Sequence, residues 1–231
     1  MSRNDFRLTA MKYAESTLPE KMVFPDGRPE VQLPISFLFY LIEIPGHRVL
    51  VDVGCDEMPG FDMRFFCKPV EVLERYGLKP EDITDVIITH AHRDHIAALH
   101  YFCRAKVHIQ QAEYEAGREK YIPDGLQVHC FSEETVVGGL LRVKKIGGHS
   151  TGSCVVEFRQ GDRTGVICGD ECYSMTNLIQ QIPTGSSRCP EKSAAFVQKY
   201  SGKQYVPYLL HTPEVLPGAN GWMLLMEQKL D

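Results

Sequence analysis

Four side chains of metal-binding type crowd into Thr89-His90-Ala91-His92-Arg93-Asp94-His95, at the spacing H-x-H-x-D-H. Imidazole and carboxylate donors without thiolates suit zinc, and iron or manganese would also accept them. The stretch follows Val86-Ile87-Ile88, an apolar run that reads as a buried strand, and precedes Ile96-Ala97-Ala98-Leu99, which reads as the first turns of a helix. Such a strand-to-helix turn is rigid on both flanks. Alternation along the strand end puts His90 and His92 on one side, while Asp94 and His95, past the turn, point elsewhere. One ion on the first pair and a second on the other is the natural reading. It requires ligands from elsewhere.

Three loops each supply one. His149 lies in Gly147-Gly148-His149-Ser150-Thr151-Gly152-Ser153, Asp170 in Gly169-Asp170-Glu171-Cys172-Tyr173, and His211 ends the run Tyr205–Leu210. Each follows a predicted strand directly, where sheet ends commonly present functional groups. A lone histidine is more often structural, but together the set reaches five histidines and two aspartates. His90, His92 and His149 would hold one divalent ion and Asp94, His95 and His211 the other. Asp170 would bridge them with its two oxygens. Such a pair brings a shared water close to a neutral pKa and polarises the bond to be broken, so no serine or cysteine nucleophile is needed. Asp52, in the apolar run Val49–Gly54, is a buried carboxylate that needs a partner. Either a turn backbone supplies it, or Asp52 orients a metal-ligating histidine, the reading the cluster favours. Cys168 and Cys172 flank Asp170 and read as small buried residues rather than ligands. His100 and His108 read as ordinary surface or core histidines.

The elements that must position these groups alternate. Residues 6–25 suggest an edge strand followed by a loop through Pro19 to Pro29. Residues 35–43 and 49–54 form a hairpin around Pro45-Gly46-His47-Arg48. A helix over 70–76 stops at Gly77, and strand 82–89 leads into the cluster. A helix to about Phe102, a strand at 107–109 and a helix over 112–119 come next. The alternation points to layered α and β elements. From Leu126 short β runs at 127–131, 135–137, 140–146, 154–159 and 163–168 read as antiparallel pairs. A helix over 190–200 and a strand over 205–210 follow.

No repeat or linker interrupts the 231 residues, which suffice for one domain, 1–231, with a full core. A net charge of −5 gives no field that recruits nucleic acid. No apolar run reaches membrane-spanning length, and the N-terminus lacks a secretory signal's apolar core. Eight cysteines without a C-x-x-C pair fit free thiols in the cytoplasm. The expected partner is a small-molecule substrate, and the expected state a monomer or homodimer.

The sequence resembles the metallo-β-lactamase fold superfamily of metal-dependent hydrolases. Its markers appear in order: Leu50-Val51-Asp52-Val53-Gly54, the H-x-H-x-D-H stretch, Gly148-His149, Gly169-Asp170 and the strand-terminal His211. They cover roughly residues 35 to 215. The resemblance implies an α/β fold, a four-layer αββα sandwich, with a dinuclear site at one edge of the two sheets. True β-lactamases commonly lose the bridging carboxylate that Asp170 supplies here. About 20 residues follow His211, too few for the helical substrate domain of the thioester-cleaving glyoxalase II branch. The acidic balance argues against the superfamily's nucleases.

Tyr173, three residues after Asp170, resembles the N-acyl homoserine lactone lactonase branch, where a tyrosine at that offset reaches the substrate's carbonyl oxygen. A phenol there would stabilise the developing oxyanion; simple packing beside the site is the alternative. Two departures leave the ligands intact but bear on the pocket: Ile96-Ala97-Ala98 replaces the usual Gly-Gly, and His211 lies in Leu210-His211-Thr212-Pro213. The implied reaction is attack of metal-activated hydroxide on a lactone or carboxylic ester, with Asp94 passing a proton to the leaving alkoxide. Thioester or phosphodiester hydrolysis on the same site, or a catalytically silent metal-binding protein, are the alternatives. Phe24, Met58, Phe61, Met63, Phe65 and Phe66 are candidates for an apolar substrate wall, a role that core packing would explain as well.

Overall fold

Strands apolar on both faces, such as Val49-Leu50-Val51 and Val86-Ile87-Ile88, must be covered on both faces. In the computed structural model, which describes residues 5–230, alternation decides what covers each residue. Val49, Val51 and Ile87 enter a core between two sheets, with Leu38, Val143, Val156 and Ile167. Leu50, Val86 and Ile88 face outward onto Leu73, Ile96 and Leu99.

Strands β1 (Asp5–Pro19), β2 (Gln32–Ile44), β3 (His47–Val51), β4 (Arg64–Phe65), β5 (Asp85–Ile88), β6 (Lys106–Gln110) and β7 (Gln127–Phe131) belong to the first sheet. Strands β8 (Glu134–Val137), β9 (Leu141–Lys145), β10 (Cys154–Gln160), β11 (Arg163–Ile167) and β12 (Tyr205–Tyr208) make the second, in the order β12-β11-β10-β9-β8. Strand β13 (Trp222–Lys229) returns to the first sheet, giving the order β13-β1-β2-β3-β5-β6-β7 with β4 paired to β1. Helices α1 (Glu20–Val23), α2 (Pro69–Tyr76), α3 (Arg93–Ile96) and α4 (Gln111–Tyr121) come from the first half of the chain, α5 (Met175–Gln180) and α6 (Pro190–Tyr200) from the second. The latter two cover the second sheet through Leu178, Phe196, Val197 and Tyr200, packed on Val155, Val166, Cys168 and Cys172. The layers are helix, sheet, sheet, helix, as expected. No helix among the described residues is long and apolar enough to cross a membrane.

Several expectations need correction. The first strand is not an edge: β13 pairs with β1 on one side and β2 on the other. Residues 20–23 form the turn of helix α1 rather than loop. β13 escaped notice because Trp222–Lys229 does not alternate cleanly; its exposure pattern is irregular along the strand. Residues 127–131 do not open the antiparallel series. After the α4 crossover, β7 joins β6 in parallel, so the antiparallel meander starts at β8. β3 stops at Val51, and Asp52 turns away in the left-handed region at φ 60°. The helix after the cluster is one α-turn, Arg93–Ile96, continued as 3-10 turns to Tyr101.

This topology places one group of loops together. β3 and β5 run parallel, so Asp52 and the 89–95 stretch leave the sheet at the same edge. β11 and β12 also run parallel, which brings the segments carrying Asp170 and His211 to a common end. Backbone bonds join the sheets there: Cys154 N–H donates to Thr89 O at 2.9 Å, and Ser36 N–H to His211 O at 3.1 Å.

The opposite end of β3, β5 and β6 is held by Asp85. His47 Nδ1 donates to its Oδ2 at 2.8 Å, His108 Nε2 to its Oδ1 at 2.9 Å, and the Thr84 hydroxyl to Oδ2 at 2.8 Å. Burial pushes this carboxyl up, but His108, His47 and Thr84 outweigh it and hold the group well below the usual range. Asp85→Asn should therefore cost about 2 kcal/mol at pH 7 by weakening hydrogen bonds to an ionised acceptor, a fall of roughly 4–8 °C in Tm for a chain this long. A depressed carboxyl stabilises above its unfolded value of about 4, and that contribution disappears as pH falls toward the folded one. Calorimetry from pH 7 to 3 should show the gap between wild type and variant steady near neutrality and closing in acid. An equal gap at pH 7 and pH 3 would contradict this account.

Candidate metal centre

Asp52 organises the 89–95 stretch. Its Oδ1 accepts the Thr89 N–H at 2.7 Å, and its Oδ2 accepts the Thr89 hydroxyl at 2.8 Å and His95 Nδ1–H at 2.7 Å. Because the Thr89 hydroxyl gives its hydrogen to Asp52, it can only accept from His90 Nδ1, 3.1 Å away. One fully buried carboxylate thereby orients two imidazoles and turns Nε2 of each toward the same place. His211 is fixed in the same manner, with Nδ1–H donating to the Ser36 carbonyl at 2.9 Å. Tyr13, from β1, donates to the Asp94 carbonyl at 3.1 Å.

The seven residues singled out in the sequence converge in two groups. His90, His92, His149 and Asp170 form one, and Asp94, His95 and His211 the other, each with one donor atom per residue inside 4.8 Å. In the first, His92 Nδ1 lies 2.9 Å from both His90 Nε2 and His149 Nε2. Asp170 Oδ2 is 3.8 Å from His90 Nε2 and 3.6 Å from His149 Nε2. In the second, Asp94 Oδ2 lies 3.3 Å from His95 Nε2 and 3.5 Å from His211 Nε2. Asp170 Oδ1 is 3.2 Å from each of those nitrogens. The two oxygens of Asp170 thus face different groups.

These separations suit divalent ions. Donors about 2.0–2.1 Å from a tetrahedral centre stand roughly 3.3 Å from one another, and the observed spacings run from 2.9 to 3.8 Å. His95 Nε2 and Asp170 Oδ1 are buried and, among the described residues, have no hydrogen-bond partner, although they face each other at 3.2 Å. Burial alone would lower the His95 pKa, but the carboxylates of Asp170, Asp94 and Asp52 drive it well above the ordinary range. Positive charge is favoured at that point. His90 goes the opposite way, pushed well down by burial and by His95, and burial brings His149 down to about 4. Both remain neutral and keep a lone pair to donate. Burial would raise Asp170, but His95, His211 and His90 hold it well below the usual carboxylate range.

A cavity of about 400 Å³ opens above this cluster. His92, Asp94, His149, Asp170 and His211 form part of its lining, with Arg93, Tyr173 and Ser186; Leu18, Met22, Ile35, Phe37, Met58 and Phe61 give it an apolar wall. Of the aromatic and methionine side chains proposed from sequence for that wall, Met58 and Phe61 line it. Phe24, Met63 and Phe65 pack against the outer core instead, and Phe66 is 46% exposed beside a separate hollow near Lys12 and Leu216. Tyr173 is buried, donates to Asp170 Oδ2 at 2.8 Å and stacks on the His211 ring at 5.3 Å.

Cys168 and Cys172 lie in the core beneath α5 and α6, their thiols raised by burial. His100 is exposed on the 3-10 turn and His108 pairs with Asp85, both outside the cluster. Sequence reasoning missed Glu113 and Glu171, two buried carboxylates against the histidine loops. Glu113 looks like any charge on the polar helix QAEYEAGREKY. No signal in the sequence separates it from its neighbours.

A family model for the metallo-beta-lactamase superfamily matches residues 38–179. An N-acyl homoserine lactonase of Bacillus cereus is 27% identical over 168 residues, spanning 62% of this chain and 67% of its own. Another, from a Bacillus species, is 37% identical over 179 residues, covering 67% and 71%. Among solved structures, an N-acyl homoserine lactone hydrolase with N-hexanoyl-L-homoserine bound at its catalytic metal centre superposes with a TM-score of 0.78 at 21% identity, over 90% of this chain and 94% of that one. The match to the family model takes in the Asp52 strand end, the H-x-H-x-D-H turn and the His149 and Asp170 loops, more than half of the sequence, and so the protein belongs to the metallo-beta-lactamase superfamily.

Proposed function

We propose that this chain is a dinuclear-metal hydrolase that opens lactones of the N-acyl homoserine type or closely related carboxylic esters. The observation that carries the reading is Asp170, set between two three-residue donor groups at the base of an apolar cavity. The names of its relatives and the product held by the solved neighbour point to the same substrate class. His90, His92 and His149 would hold one ion and Asp94, His95 and His211 the other, with the two oxygens of Asp170 facing both groups. The all-nitrogen-and-oxygen donor set favours zinc, with iron or manganese also accommodated. When bound, the ions supply a water of near-neutral pKa and a Lewis-acidic partner for the carbonyl oxygen. Eight unpaired cysteines suit a reducing compartment such as the cytoplasm.

The chain's own residues do the rest. Burial, then the charge of Asp170, raises the Tyr173 pKa well above its ordinary value. The phenol keeps its proton and serves as a donor to the carbonyl oxygen as negative charge develops there. Asp94 turns Oδ2 toward His95 and His211, and its Oδ1 carries a proton from the attacking water to the departing ring oxygen. The water oxygen bonds to the carbonyl carbon, the ring C–O bond breaks, and a hydroxy acid leaves. The apolar wall from Leu18 to Phe61 takes the acyl chain and excludes bulk water.

Three measurements test this reading. The zinc-loaded protein, assayed on N-hexanoyl homoserine lactone, an acylglutathione thioester and bis-p-nitrophenyl phosphate, should give its highest kcat/KM on the lactone. A preference for either other substrate would replace the proposed reaction. Elemental analysis should find two ions per chain in the wild type and a deficit in His95→Ala, with turnover lost; a fully active, metal-free His95→Ala would refute the mechanism. Tyr173→Phe should lower kcat by roughly 100 to 1,000-fold, the range for one lost oxyanion donor. An unchanged kcat would leave Tyr173 with packing alone.

A further inference from the structure

The loop that carries His149 hangs between two buried carboxylates, and one of them also grips the loop that carries His90 and His92. Glu113, on α4, is 4% exposed. Its Oε2 accepts the Ala91 N–H at 2.8 Å, and Ala91 lies between His90 and His92. Its Oε1 accepts the Gly152 N–H at 2.7 Å and the Ser150 hydroxyl at 2.7 Å, from the residues that follow His149. On the other side, Glu171 Oε1 accepts the N–H groups of Gly148 and His149 at 3.0 and 3.1 Å. The loop lies close at Gly152: a Cβ there would stand 2.0 Å from Gln110 Oε1 and 3.0 Å from Glu113 Cγ, so one of those side chains would have to move.

We propose that Glu113 is a positioning residue that sets the affinity of the metal position formed by His90, His92 and His149. The inference rests on the dinuclear reading above. A buried carboxylate held by three neutral donors is costly to keep unless each contact is made. All three are made: Ala91 and Ser150 adjoin proposed ligands, and Gly152 closes the same loop three residues after His149. Glu113 fixes the separation of the two loops and with it the distance from His149 Nε2 to His92 Nδ1. The other position is held differently: Asp52 orients His95, the Ser36 carbonyl orients His211, and Tyr13 steadies the Asp94 backbone. None of these contacts passes through Glu113. Its loss therefore acts on one ion and spares the other.

The test is zinc titration of the purified full chain against a chelating indicator. Glu113→Gln preserves length and volume but turns an NH₂ group toward N–H donors. One class of site should weaken by about 10–100-fold, the range for lost support of a ligating group, while the other holds its wild-type affinity. In a His211→Ala background, where the His90, His92 and His149 position is the intact one, Glu113→Gln should still weaken zinc binding. In a His149→Ala background it should have no further effect on the remaining site. Ser150→Ala, which removes a single donor, should shift the same class by several-fold and serves if the glutamine variant does not fold. Wild-type affinities at both sites in the folded variants, or an equal loss at both, would overturn the assignment. A purely structural role would lower the melting temperature of the metal-free protein and leave the affinities alone. A wild type that takes up no zinc would bring down the dinuclear reading itself, and this assignment with it.

Discussion

Asp170 stands in buried space with four imidazole nitrogens within 3.8 Å of its two oxygens. Everything else at this edge of the sandwich is arranged around that placement. Removing a carboxylate from water costs several kcal/mol even after the protein relaxes. Attraction to a unit positive charge at about 4 Å returns roughly 4 kcal/mol at an effective dielectric near 20. One such partner barely offsets the burial, and several hold the acid ionised. That balance explains the directions of the titrations: Asp170 and Asp94 low, His95 and His211 high, with His90 and His149 driven to neutrality. The cluster works as a trap for positive charge.

A trap of this kind needs stiff walls, because imidazoles that can swing away relieve the field by moving. The stiffness comes from the parallel pairing of β3 with β5 and of β11 with β12, which delivers the Asp52 turn, the 89–95 stretch and the Asp170 and His211 segments together. It comes next from the hydrogen bonds that set each ring, Asp52 for His95, Thr89 for His90, and the Ser36 carbonyl for His211. Asp52 adopts its left-handed backbone at φ 60° at a cost of about 1 kcal/mol or more for a residue other than glycine. The turn is held because three donors are bound by its carboxylate.

How much of this the sequence carried follows from how local each feature is. The H-x-H-x-D-H turn is four donors in one short stretch, so residue type and spacing were enough. His149, Asp170 and His211 each follow an apolar run, and strand ends are visible in hydrophobic pattern. The sandwich was legible for the same reason, since Val49–Val51 and Val86–Ile88 can only be buried strands. What failed was non-local. β13 has no alternation to mark it, and its place beside β1 depends on pairing across the whole chain. β7 looked like the strands that follow it, and the α4 crossover that makes it parallel leaves no mark within the strand. Glu113 and Glu171 were invisible because a carboxylate on a helix or loop is ordinarily solvated; the fold alone turns these two inward.

The apolar wall and the charged floor of the cavity are one device seen from two sides. Leu18, Met22, Ile35 and Phe37 give an apolar wall to the place where the proposed reaction would create charge on a carbonyl oxygen, and low polarity strengthens every fixed dipole aimed there. In the proposed reaction Tyr173 would be such a dipole. Its ring is pinned flat against His211, and its hydroxyl is engaged with Asp170 Oδ2. A phenol has a single hydrogen to give. A substrate oxygen would have to compete with Asp170 for it, and would compete best when carrying the negative charge of the tetrahedral state rather than the weak dipole of the starting carbonyl. On the proposed reaction, the same contact that parks Tyr173 in the resting protein would discriminate between ground state and transition state, the difference on which rate depends.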